Sequence, residues 1–234
     1  MRKLIIASTS TLHGTAYLEY LTDTLKSHFQ GVTKLVFIPF ARPSGISHDA
    51  YTEKVTTAFA KLNIEVVGLH TFDDAAAALT HAQAIFTGGG NTFVLVKELH
   101  ERNLFPVLLD AINSGTPYLG CSAGSNICGQ SMQTTNDMPI VMPPSFQTLG
   151  VLPFNLNPHF LDADAQSKHM GETRETRIQE YHAFNTTPVL GLREGSWLEV
   201  SDEKIILKGA LTARWFTPQQ SATELEPETD LTKM

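Results

Sequence analysis

The sequence is short of cysteine, of cationic residues and of long apolar runs. Only Cys121 and Cys128 occur among its 234 residues. Two cysteines seven apart make no disulfide framework and match no metal-ligand spacing, so a reducing compartment and no bound metal are expected. Lys and Arg number 17 against 24 Asp and Glu, a net charge of −7. That balance argues against a nucleic-acid partner, which a basic patch usually announces. No stretch approaches the ~18 apolar residues of a membrane span. The opening "MRKLIIASTST" places charge before apolar residues, but Leu4 to Ala7 is too short for the apolar part of a signal peptide. A cytoplasmic protein with no membrane contact is expected.

What the chain does have is an ordinary globular composition, 42% hydrophobic and 18% charged. Its length suits one α/β domain over residues 1–234 that can bury a sizeable core. Apolar, β-branched runs at 3–8, 34–41, 64–70, 84–90 and just after Pro117 read as strands. Helical patterns lie between them, at 15–29, 48–62, 73–82, 91–103 and 104–113. Ser47 and Asp73 or Asp74 are candidate N-caps. Strands that are apolar throughout and separated by helices predict a doubly wound, mostly parallel sheet with helices on both faces. Beyond residue 140, prolines break the pattern into loops. A helix over 168–184, a closing strand at 189–194 and an antiparallel hairpin at 196–201 and 204–209 follow. The polar tail from about 219 is expected to fray.

One stretch carries chemistry. Gly120-Cys121-Ser122-Ala123-Gly124 satisfies G-x-S-x-G at a strand end before a predicted helix. A tight strand-to-helix turn demands small neighbours and lifts the hydroxyl above the sheet. The N–H of Ala123 then opens a helix, a place suited to an oxyanion. The bland alternative is that small residues merely let a helix pack on the sheet. "TGGGNTF" (87–93) also closes a strand and opens a helix, so the N–H of Gly89 or Gly90 is a candidate second donor. A phosphate loop is the rival reading there, but the third glycine of G-x-G-x-x-G and a Walker lysine are both missing.

A serine nucleophile needs a base. Among nine histidines, His28, His81 and His100 lie in charged helical contexts and read as surface residues. His159, in "FNLNPHF", follows an apolar strand and a proline, which would orient its ring.

Taken in order and spacing, "GCSAGSN", "TGGGNTF", "TTNDMPI", "NPHF", "GETRETRI" and "REGSW" resemble the peptidase E, or aspartyl dipeptidase, family. Its fold is related to the class I glutamine amidotransferases. The similarity extends from the first strand to about Phe216. The resemblance implies an amidotransferase-like fold and a serine peptidase that cleaves dipeptides with N-terminal aspartate without a cofactor. It makes Ser122 the nucleophile, His159 the base, and Gly90 and Ala123 the oxyanion donors. It offers two carboxylates for the third position, Asp137 and Glu194; Glu194 is preferred for its mount beside a strand, and both stay open. Arg174 and Arg177, three apart on one helix face, are its candidates for the substrate's aspartate side chain. Glu172, Glu175 and Glu180 beside them offer the plainer alternative of a surface ion-pair network. Cys121 is one residue out of phase with the elbow and reads as packing. The implied partner is a small Asp-X peptide, and the protein a monomer or homodimer. The alternatives are a related hydrolase of an aspartyl storage polymer or of isoaspartyl peptides, and a non-catalytic module on the same fold.

Overall fold

The computed structural model describes residues 1–163, 166 and 170–234. Its main sheet starts with β1 (Lys3–Ala7), followed by α1 (Thr22–His28), β2 (Lys34–Ile38), α2 (His48–Ala60), β3 (Glu65–Gly68) and α3 (Ala75–Thr80). Then come β4 (Ile85–Thr87), α4 (Thr92–Glu101), α5 (Phe105–Asn113), β5 (Tyr118–Cys121) and the one-turn α6 (Ala123–Asn126). After a long irregular stretch come β6 (Asn155–Pro158), α7 (Arg174–His182), β7 (Val189–Leu192), β8 (Ser196–Ser201), β9 (Lys204–Gly209), β10 (Ala213–Phe216) and β11 (Thr223–Leu225).

Seven strands form the main sheet in the order β3-β2-β4-β5-β1-β8-β9. The first five are parallel, and β8 and β9 continue the sheet as an antiparallel hairpin. Alternation along the strands divides the core between two faces. Ile5, Phe37, Phe86, Leu119 and Cys121 pack with α1 and α2, whereas Leu4, Ile38, Ile85 and Tyr118 pack with α3, α4 and α5. A smaller sheet, β11-β10-β7-β6, lies in the same core as the second group, through Leu190, Trp215 and Leu225.

Four expectations change. The helix expected over 15–29 begins at Thr22, because Leu18 takes a left-handed φ of 59° and its N–H bonds the Ser10 carbonyl. The tail is not frayed: β11 pairs with β10, Leu225 and Leu231 are buried, and Leu231 N–H donates to the Ile205 carbonyl. The helix expected over 168–184 begins at Arg174, capped by Thr173; residues 168 and 169 lie outside the described ones. His28 is buried, and its Nε2–H meets the Tyr118 carbonyl at 3.1 Å. Among the described residues no helix is long and apolar enough to cross a membrane.

Candidate active site

In a doubly wound sheet the loops at the carboxyl ends of the strands gather into one crevice. Ser122 ends β5 in that crevice with φ 55° and ψ −112°, a backbone shape L-residues rarely adopt. The neighbours enforce it. A Cβ at Gly120 would lie 2.4 Å from the Gly124 carbonyl oxygen, and one at Gly124 would lie 2.1 Å from that of Thr87. Both glycines of G-x-S-x-G are therefore steric necessities. Cys121 points away into the buried face shared with Phe37 and Tyr51, where burial pushes its thiol pKa up.

The hydroxyl of Ser122 lies 2.9 Å from His159 Nε2, and His159 Nδ1 lies 2.6 Å from Glu194 Oε1. A carboxylate can only accept, so Nδ1 carries the proton and Nε2 is free to accept from the serine. His159 also has a left-handed φ, 54°. Its backbone N–H donates to Ser8 Oγ at 2.9 Å, and Ser8 Oγ donates to the Leu192 carbonyl at 2.7 Å. One buried hydroxyl thus ties the His159 turn to the end of β7, from which Glu194 hangs. Further bonds steady β6: Asn126 Nδ2 and Thr134 Oγ1 both donate to the Leu156 carbonyl, and Asn136 Nδ2 donates to that of Pro158.

Arg193 braces this side from below. Its guanidinium makes a two-pronged pair with Asp162, at 2.8 Å through both Nε and Nη2, and also meets Glu224 and Thr212. Glu224 in turn meets Arg214, which pairs with Glu175 on α7 at 2.8 Å. Hydrogen bonds from Arg193 hold the Glu224 carboxyl down to about 2. Neither Ser8 nor Arg193 was visible as a site residue in the sequence. The one available signal was position: Ser8 is a polar residue ending an apolar strand, and Arg193 adjoins Glu194.

In the glycine loop the two candidate donors differ. The Gly89 N–H donates to Tyr51 Oη at 3.0 Å and is occupied. The N–H groups of Gly90 and Ala123 have no bond to another described residue. Gly90 has φ 148°, and a Cβ there would lie 2.2 Å from the Ala41 carbonyl oxygen. Gly89 packs against the serine itself, since its Cβ would come 2.8 Å from Ser122 Cβ.

Of the two carboxylates left open by the sequence, only Glu194 meets the His159 ring. Asp137 Oδ2 accepts from the Thr92 N–H and Thr92 Oγ1, both at 2.7 Å, and from Thr135 Oγ1. It caps α4, one residue past Asn91. The alternative of an ion-pair network among the α7 arginines and their neighbouring glutamates is not seen among the described residues. Glu175 pairs with Arg214, and Arg174 and Arg177 make no ion pair. Arg174 is half-buried and Arg177 exposed. Burial and then the neighbouring Arg177 lower the Arg174 pKa, and Asp137 acts against them. Asp137 and the two arginines therefore share one lip of the crevice.

Comparison with known proteins identifies the family. The model of Peptidase family S51 matches residues 4–208. A peptidase E of Streptomyces coelicolor is 46% identical over 231 residues, covering 99% of this chain and 94% of that protein. A Drosophila melanogaster protein named "Probable alpha-aspartyl dipeptidase" is 46% identical over 234 residues, covering 99% and 96%. Among solved structures, a peptidase from an acI-B1 Actinobacterium superposes with a TM-score of 0.72 at 16% identity, covering 99% of this chain and 96% of that one. At that identity the likeness speaks for the fold alone. With the family model spanning most of the sequence and relatives alike from end to end, this chain belongs to peptidase family S51 and is a serine-type peptidase.

Proposed function

We propose that this peptidase hydrolyses dipeptides with an N-terminal aspartate, through Ser122, His159 and Glu194. The observation that carries the reading is the relay of 2.9 Å from Ser122 Oγ to His159 Nε2 and 2.6 Å from His159 Nδ1 to Glu194. Ser122 Oγ attacks the peptide carbonyl carbon as its proton passes to Nε2. Glu194 stabilises the imidazolium so formed. The carbonyl oxygen, now an oxyanion, accepts from the Gly90 and Ala123 N–H groups. The C–N bond breaks as Nε2 returns the proton to the departing amine, leaving an ester on Ser122. Water then attacks the ester, giving its proton to Nε2; the bond to Ser122 breaks as Nε2 returns that proton to Ser122 Oγ, and aspartate is released.

Specificity for aspartate is assigned to Arg174. A half-buried guanidinium with no ion-pair partner among the described residues leaves its planar fork for an incoming carboxylate. Arg177, one turn further along α7, adds positive potential. The names of the relatives support the same substrate class.

The test is Asp-Leu turnover by wild type and Ser122→Ala, with melting curves of both. Wild type hydrolyses Asp-Leu; Ser122→Ala does not, and melts as the wild type does. Turnover by the variant would end the proposal.

A further inference from the structure

A dipeptidase must recognise where its substrate ends as well as where it begins, and the crevice has a second lip unused so far. Asp137, Thr92 and Arg174 stand above the sheet face that carries α4, whose Leu95 and Val96 pack with α5. On the opposite face, α2 presents Tyr51, packed with Phe37, Leu119 and Cys121. Tyr51 Oη holds Gly89, and Gly89 touches Ser122. The guanidinium of Arg42 lies over the Tyr51 ring, 5.0 Å from its centroid. Arg42 lies in the loop after β2, next to Ala41, whose carbonyl presses on Gly90. The second lip therefore reaches the reacting atoms through a short, rigid chain of contacts.

This lip is cationic in a chain whose net charge is −7. Arg42 makes no ion pair among the described residues. Neither does Lys54, whose ammonium lies 4.7 Å from the Tyr17 ring centre, and the Tyr17 and Tyr51 hydroxyls are 3.4 Å apart. Two cations laid on two linked aromatic rings are kept pre-extended without being neutralised. Beside Arg42 a solvent-open hollow of about 620 Å³, lined also by Ser44, Ser47 and His48, gives room for a side chain.

Resting on the Asp-X reading, we propose that Arg42 binds the free α-carboxylate of the residue that leaves. The substrate would then lie across Ser122 with its aspartate on the Arg174 lip and its C-terminus on the Arg42 lip. A longer peptide presents a neutral amide there and forfeits the charged contact, so this arginine would set the enzyme's preference for dipeptides.

The experiment compares Asp-Leu with Asp-Leu-amide, identical but for the terminal charge, in wild type, Arg42→Gln and Arg42→Lys. Wild type prefers the free acid in kcat/KM by about 10- to 100-fold, the range of a charge-assisted hydrogen-bonded contact. Arg42→Gln collapses that ratio toward unity, mainly by raising KM for Asp-Leu, and Arg42→Lys restores part of it. An equal loss on both substrates would mean that Arg42 only supports Tyr51 and Gly89, and would overturn the proposal. An unchanged ratio would place the carboxylate elsewhere and overturn it too. Failure of wild type on both substrates would overturn the Asp-X reading and this inference with it, whereas hydrolysis with no dependence on Arg42 overturns this inference alone.

Discussion

The two halves of the crevice are held by different forces. On one side Ser122 is fixed by backbone crowding: Gly120 and Gly124 admit no side chain, and Gly89 and Gly90 press against Ser122 and Ala41. No ion pair among the described residues takes part. On the other side His159 and Glu194 hang from loops, with side chains 37% and 46% exposed, and are held by the Ser8 hydroxyl and the ions around Arg193. Crowding positions an atom rigidly but accepts almost no substitution. Side-chain bonding in a wet environment is adaptable and responds to charge. The glycines of the nucleophile side should thus answer mutation by misfolding, and the base side by losing rate.

Glu194 tests this most severely. Glu194→Gln keeps the shape of the side chain but removes the charge that meets His159 Nδ1. The fall expected in kcat on Asp-Leu is about 10²- to 10⁴-fold with the melting temperature unchanged. Asp137→Asn is the contrasting variant. It weakens the cap on Thr92 and, through Asn91, unsettles Gly90. It should lower the melting temperature by about 2–6 °C besides whatever turnover it costs. Near-wild-type kcat in Glu194→Gln would move the third catalytic role away from that residue.

The same division explains what could be read from the sequence. Steric demands act between neighbours, so G-x-S-x-G announced the tight turn at Ser122, and the triple glycine a close backbone approach, by spacing. The parallel sheet was legible for a similar reason, because strands buried on both faces are apolar throughout. The partner of His159 was only partly legible: the mount beside a strand favoured Glu194, but Asp137 stayed open until the fold showed which carboxylate meets the ring. Ser8 lies 151 positions from His159 and carries no local signature. His28 looked exposed because helical charge surrounds it, yet α1 turns it inward onto the Tyr118 carbonyl. The tail looked frayed because its polar letters hide Leu225 and Leu231, which close the smaller sheet and the far edge of the main one.

Arg193 offers a milder way to disturb the base side. It touches neither Ser122 nor the His159 ring, but holds Asp162, three residues beyond His159, and precedes Glu194. Arg193→Met should cut kcat about tenfold through small displacements of both groups, leaving KM on Asp-Leu nearly unchanged. Arg193→Lys keeps the charge but not the fork, and should recover only part of the loss. The measurement is the kcat and KM of the three proteins; a change confined to KM would show that the network serves the α7 arginines rather than His159.

Mild acid should produce the smallest effect, and it separates the halves without mutation. Burial, with Lys3 adding to it, pulls the His28 pKa down to about 3, against 6.5 for an ordinary imidazole. The unfolded chain therefore binds a proton that the folded one refuses between those values. The stability that His28 contributes is complete above pH 6.5 and declines as the pH falls toward 3, by about 1 kcal/mol between pH 7 and 5.5. The Arg193 network behaves differently. Its Glu224 carboxyl is held near 2 and Asp162 is also depressed, both chiefly by hydrogen bonds from Arg193, so their contribution persists until the medium is far more acidic. Acid should consequently loosen first the sheet behind Ser122, where His28 bonds the strand that carries the elbow, while the base side stays assembled. Melting temperatures from pH 7 to 5.5 should fall in wild type and fall less in His28→Asn, whose amide can still donate to the Tyr118 carbonyl. Parallel curves for the two proteins would show that His28 does not govern the acid response, and that the buried half has no such titrating weakness at that position.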